Sequence, residues 1–166
     1  MRRALILAVT LALAATLAWP VAAQNLASSI VGVWKLKSQV RKEVATGKTT
    51  NTFGEKPTGH IIYTRGGHFS FVIVADNRKA PAGPNPTDAE RVDLFKTTVA
   101  ASGTYTIQDN KIVLNVETSW NQSWTGTRRP SQAEIAGNTL TLTTGPVKAA
   151  ADGVEILSIT TWDRAE

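Results

Sequence analysis

Glu117, His60, His68 and the neighbours Arg128 and Arg129 are the residues of this 166-residue chain whose types could move a proton or hold an anion. Enclosure raises a carboxyl pKa toward the range of a general base. Glu117, with His60, Tyr63 or Arg128 in support, is therefore the candidate for acid–base work. Its own strand speaks against it. Residues 111–119 alternate Ile112, Leu114 and Val116 with Val113, Asn115 and Glu117, and the more apolar set should face inward. That leaves Glu117 outside or at a rim, with Arg128 or Arg129 as a salt-bridge partner. The two histidines share a strand face but stand near opposite ends of a hairpin, too far apart to chelate one ion. No metal site and no cofactor is expected. The chain has no cysteine, which removes thiol nucleophiles and thiolate metal centres.

Trp120 and Trp124 sit four residues apart just before those arginines. Large aromatic surface is costly to leave in water. With Tyr105, the two rings either line a pocket for an apolar or aromatic molecule or plug the end of a packed core. The guanidinium forks behind them match a carboxylate, or else mark a solvated strand entry.

The elements that position these residues are mostly strands. Residues 33–40 alternate, with Trp34, Leu36, Ser38 and Val40 on one face and Lys35, Lys37 and Gln39 on the other, as in a half-buried strand. Residues 49–53 return as a second strand. Residues 59–75 form a hairpin around Arg65-Gly66-Gly67, a three-residue loop ending in a left-handed glycine. Its register pairs Tyr63 with Phe69 and Ile61 with Phe71, and gathers Ile61, Tyr63, Phe69, Phe71 and Ile73 on the core face. Thr87 and Glu90 make a capping box. Val92, Phe95 and Val99 then form one stripe on a helix ending near Ser102-Gly103, the one helix expected. Period two returns at 104–108, 111–119, 131–135, 139–143 and 154–162, with a loop over 145–153. Eight or nine short strands joined by hairpins give an all-β, antiparallel up-and-down barrel of about eight strands, because closure removes the edges.

The chain opens Met1-Arg2-Arg3, runs apolar through residues 4–19, and reaches Gln24 through Val21-Ala22-Ala23. A positive start, an apolar stretch and small residues at the cleavage positions make residues 1–23 a secretory signal peptide. The domain is then residues 24–166. The apolar run is shorter than the roughly 20 residues a membrane span needs, so no span remains after cleavage. A bacterial general secretory route leads to a periplasmic or secreted protein, monomeric or weakly dimeric. Losing Arg2 and Arg3 from the 18 basic residues leaves 16 against 13 acidic ones. They are scattered, without the stripe a nucleic-acid binder needs.

Several segments together resemble the bacterial and fungal lipocalin-like domain family. They are Gly32-Val33-Trp34, the block Phe53-Gly54-Glu55-Lys56-Pro57-Thr58-Gly59-His60-Ile61-Ile62-Tyr63-Thr64 with Gly67-His68-Phe69, Ser102-Gly103-Thr104-Tyr105, residues 120–127, Leu140-Thr141-Leu142 and Trp162-Asp163-Arg164. The resemblance covers nearly all of the chain after residue 23. It implies an eight-stranded barrel with an internal cavity and a small helix near one end. It also implies that Trp34 packs against Arg164, a pair that cation–π attraction would hold. The family pattern carries a histidine shortly before the glutamate that Glu117 matches. Here the places read Leu114-Asn115-Val116-Glu117, so chemistry through that histidine is missing.

The leading expectation is a small, mostly apolar or aromatic ligand in the barrel, lined by Trp34, Ile61, Tyr63, Phe69, Phe71, Tyr105, Trp120 and Trp124. The alternative that the resemblance brings is a cofactor-free isomerase or cyclase, or a hydrolase, working through Glu117, His60 and Arg128. A third is an envelope protein with a filled barrel and no ligand.

Overall fold

The computed structural model describes residues 26–76, 78–149 and 152–166; the expected signal segment 1–23 lies outside them. Among the described residues are nine strands, β1 Gly32–Glu43, β2 Thr49–Thr50, β3 Thr58–Tyr63, β4 His68–Val74, β5 Thr98–Gln108, β6 Lys111–Ser119, β7 Arg128–Ala136, β8 Thr139–Lys148 and β9 Glu155–Arg164, in the sheet order β2-β1-β3 and then consecutively to β9. All neighbours pair antiparallel, and β1 also pairs β9. Eight strands thus close into an up-and-down barrel, with β2 a two-residue flap on β1. The helix α2 spans Asp88–Lys96. A single helical turn, α1 Leu26–Ser29, precedes β1, and a 3-10 turn, Gln122–Trp124, follows β6.

The β3–β4 hairpin has the register its alternation specifies. Tyr63 lies opposite Phe69 and Ile61 opposite Phe71. Gly67 closes the loop at φ 82°, a region open to glycine at little steric cost. Ile61, Tyr63, Phe69 and Ile73 are buried, while His60, Ile62, His68, Ser70 and Val72 face outward. The capping box is also present. Thr87 accepts from the Glu90 amide, and the Glu90 carboxylate accepts from the Thr87 amide at 2.7 Å.

The remaining elements differ from their sequence pattern for local reasons. The second strand stops at Thr50 and a turn takes the rest. The helix ends at Lys96, and Val99 does not continue its stripe. Thr97-Thr98-Val99 is a β-branched run that suits a strand, and Val99 pairs with Ile73 in β5. Val92 and Phe95 are 47 and 48 % exposed, so α2 buries no stripe. Strand β7 is longer than the expected 131–135. Strand β8 continues into the expected loop because a bulge absorbs Gly145 and Pro146 before Val147 pairs with Ile156.

Two further bulges decide which way side chains point. In β1 the register jumps from Leu36 opposite Trp162 to Ser38 opposite Thr161, leaving Lys37 as the extra residue. In β6 it jumps between Val116 and Thr118, leaving Glu117 extra opposite β5. Gly103 makes the second possible. At φ 156° it lies against β6, where a Cβ would collide with the Asn115 carbonyl.

The core collects at the end of the barrel carrying α1 and the Thr64, Asp109 and Gly137 turns. Ile30, Trp34, Tyr63, Ile112, Leu140 and Trp162 are almost completely buried there. Trp34 donates from Nε1 to the Ile30 carbonyl at 2.8 Å. Arg164 lies over the Trp34 ring, its Cζ 4.1 Å from the centroid. It also donates to the carbonyls of Ser29 and Val31, tying α1 across that end.

Candidate functional site

The inward positions follow from the pairings, because residues directly opposite in a sheet share a face. Leu140 and Trp162 are opposite and buried. Counting back along β9 in twos gives Thr160 and Ser158 on the same inner face, and Trp162 Nε1 donates to the Thr160 hydroxyl at 2.8 Å. On β8 their partners are Leu142 and Thr144; on β1 they are Gln39 and Arg41. Ser131 of β7 lies opposite Thr144, its hydroxyl 2.6 Å away. A row Ser131, Thr144, Ser158, Arg41 therefore crosses four adjacent strands of the inner wall, spaced about 4.8 Å per strand. The sequence pattern had placed Ser38 and Val40 inside. The Lys37 bulge exchanges them for Gln39 and Arg41, since a one-residue slip moves every later side chain to the other face.

The opposite wall is apolar. Ile61, Phe71, Ile73, Val99 and Ala101 share its inner face across β3, β4 and β5. Toward the Trp120 end of the inner wall, Gln39, Arg41, Phe71, Val99, Thr144, Ser158 and Thr160 are half-buried, while Ile73, Ala101 and Leu142 beside them are buried. This part of the wall is mixed in chemistry, and the floor below it is apolar.

The tryptophan segment stands at this end of the barrel, where the Trp120 amide donates to the Ala100 carbonyl. The Asn121 side chain accepts from the Ser123 amide at 3.1 Å and starts the 3-10 turn. The turn sets the Trp120 and Trp124 rings edge to face, centroids 4.7 Å apart. Phe95 of α2 lies 6.0 Å from Trp120 on one side. Arg129 stacks on Trp124 on the other, its Cζ 3.5 Å from the centroid. The two arginines separate. Arg128, opposite Asn115, is exposed; Arg129, opposite the buried Leu114, is inward and half-buried. Burial lowers the Arg129 pKa from its usual value.

Glu117, His60 and Arg128 are all exposed, on β6, β3 and β7. The barrel wall gathers them into no common site. The expected Glu117 salt bridge is absent. Among the described residues the ion pairs are Lys37 with Asp163, Arg41 with Asp152 and Arg91 with Asp88. Alternation from inward Val116 leaves Glu117 in solvent, while Arg129 turns in toward Trp124. No cluster of three metal-ligating side chains occurs among the described residues.

Of the expected lining residues, Trp34, Ile61, Tyr63 and Phe69 are at most 3 % exposed and belong to the floor. Phe71, Trp120 and Trp124 are half-buried toward the Trp120 end, and Tyr105 is half-buried at the floor end, beside the Thr64 turn. Tyr63 and Tyr105 meet edge to face at 5.0 Å, and the Tyr105 hydroxyl donates to the Thr64 carbonyl at 2.8 Å. Among the described residues, three buried side-chain polar atoms have no partner: Tyr63 Oη, Gln39 Oε1 and Trp120 Nε1. Burial, and then the Tyr105 hydroxyl, push the Tyr63 pKa far above its usual value. Gln39, Arg41, Thr144, Ser158 and Thr160 went unforeseen as inner-wall residues, because their placement depends on pairing across strands. A separate cleft of 430 Å³ lies outside the inner wall, between residues 78–82 and α2, with Asp76, Arg78, Glu90 and Asp93 in its lining.

The model of the lipocalin-like domain family matches residues 31–165. No curated protein matches the chain. Among solved structures, lipoprotein YedD from Klebsiella pneumoniae is similar at 14 % identity and a TM-score of 0.38, over 84 % of this chain and 74 % of that one. A mutant of the fluorescent protein UnaG is similar at 14 % identity and 0.37, over 83 % and 97 %.

Proposed function

The chain belongs to the lipocalin-like domain family, and from that premise we propose that it is an exported carrier holding one small, mostly apolar molecule in its barrel. The observation that supports this reading is the change of burial along the inner wall. The floor around Trp34, Ile61, Tyr63 and Phe69 is packed, whereas Phe71, Val99 and Trp124 keep accessible surface toward the Trp120 end. A ligand resting there covers aromatic surface, at about 25 cal/mol per Å², offset by the freedom lost on binding. Export rests on residues 1–23, with cleavage before Gln24 leaving 24–166 as the working domain in the periplasm or outside the cell.

The test is to isolate the native protein from its host, extract it with organic solvent and identify what comes out by mass spectrometry. Tryptophan fluorescence titrations with lipids, terpenoids and aromatics accompany it. A stoichiometric apolar molecule and saturable quenching are expected. An empty extract with no quenching by any class overturns the carrier reading. N-terminal sequencing of the same sample should begin at Gln24; a sequence beginning at Met1 overturns the export reading.

A further inference from the structure

The two inward arginines differ in one respect. Arg41 gives one N–H of its guanidinium to Asp152 at 2.6 Å, at the mouth of the barrel, so its charge is matched. Arg129 has no carboxylate within 4.0 Å and no side-chain hydrogen bond among the described residues. It is nevertheless half-buried, fixed by stacking on Trp124. Stacking occupies the face of the guanidinium, while its five N–H donors lie in the plane and stay available. Two residues further along the same inner face stands the Ser131 hydroxyl, bonded to Thr144 and followed by Ser158. A half-buried cation without a counter-charge, held rigid beside a row of hydroxyls, is the arrangement an acidic head group completes.

We propose that the ligand is an amphiphile with a carboxylate head, which docks on Arg129 and the Ser131–Thr144 hydroxyls while its apolar chain lies against Phe71 and Val99. This rests on the carrier reading and narrows it. The two walls divide the work. Strands β7, β8, β9 and β1 present donors and β3 to β5 present hydrocarbon, so one molecule with a polar end and an apolar body satisfies both. The neutral Arg41–Asp152 pair closes the far end of the hydroxyl row without competing for the anion. Arg129 loses little freedom on binding, because Trp124 already holds it in place.

Isothermal titration calorimetry of the delipidated mature protein with oleate and with oleyl alcohol tests this. The two probes share a chain and differ only in the head. Oleate should bind at least about tenfold more tightly, as befits a charge-assisted hydrogen-bond pair. Arg129→Gln should abolish that preference while leaving the alcohol unchanged, and Arg129→Lys should keep part of it. Arg128→Gln, on the outer face, should leave it intact. Should Arg129→Gln not fold, Thr144→Val removes a hydroxyl at constant shape and should weaken oleate alone by about threefold. Equal binding of the two probes, or a preference that survives Arg129→Gln or Thr144→Val, overturns the head-group assignment and leaves the carrier reading standing. Binding of neither probe, together with the failure of every other ligand class, overturns both.

Discussion

The Arg164 guanidinium lies 4.1 Å above the Trp34 ring centroid while donating to the backbone of Ser29 and Val31. One side chain thus joins the last strand to the first and both to the turn that covers the barrel floor. Arg164→Lys keeps the charge but loses the planar fork and the stack. It should cost roughly 1–2 kcal/mol, and Trp34→Ala roughly 3–5 kcal/mol. Chemical denaturation reads both; a lysine variant as stable as the parent would show that the stack contributes nothing.

The Tyr63 hydroxyl is buried without a partner and its pKa is raised by burial, then by Tyr105. In the unfolded chain the same group ionises near pH 10. The stability it contributes is therefore complete below pH 10 and is lost as pH rises, at about 1.4 kcal/mol per unit above that point. Tyr63→Phe should flatten this alkaline decline and leave neutral-pH stability unchanged or slightly higher, because no hydrogen bond is lost. Urea unfolding at pH 8, 10 and 11 gives the slope; an unaltered decline in the variant refutes the assignment.

Deleting Lys37 removes the extra residue of the β1 bulge and keeps the register beyond it, because Leu36 is then followed by outward Ser38 opposite Thr161 and inward Gln39 opposite Thr160. Gln39 and Arg41 should stay inward, and the Arg41–Asp152 pair should survive. The deletion protein should retain its β-sheet signal by circular dichroism and bind ligands within about threefold of the parent, roughly 0.7 kcal/mol. A loss of about tenfold or more would mean that β1 has slipped against β9.

Glu117→Gln should change stability by less than about 0.5 kcal/mol, as expected for an exposed residue away from any cap or network. Ligand affinity should stay the same. A large loss of binding or of any turnover would restore Glu117 as a working residue and require the bulge to rearrange.

Much of this architecture was legible because it is written locally. The β3–β4 register follows from alternation inside one hairpin, and the α2 start from the Thr87–Glu90 spacing. The inner wall was not, because a bulge is a relation between strands. Residues 33–40 alternate without interruption, and nothing within them marks Lys37 as extra. The signal lies in β9, where Leu157 and Ile159 fall out of step with buried Trp162. Arg128 and Arg129 look equivalent in sequence; only their opposite numbers, Asn115 and Leu114, send one to solvent and the other inward. Helix α2 was overextended because Val99 keeps helical spacing yet pairs with Ile73.

The pairing of β1 with β9 joins segments at the two ends of the domain. Contacts of such wide sequence separation form late, since the loop they close spans nearly the whole chain. A polypeptide threaded N-terminus first through a narrow pore would hold no finished barrel while β9 remained behind. The final strand would act as a lock that turns only after passage is complete, so the topology that closes the barrel is also one that keeps the chain translocatable.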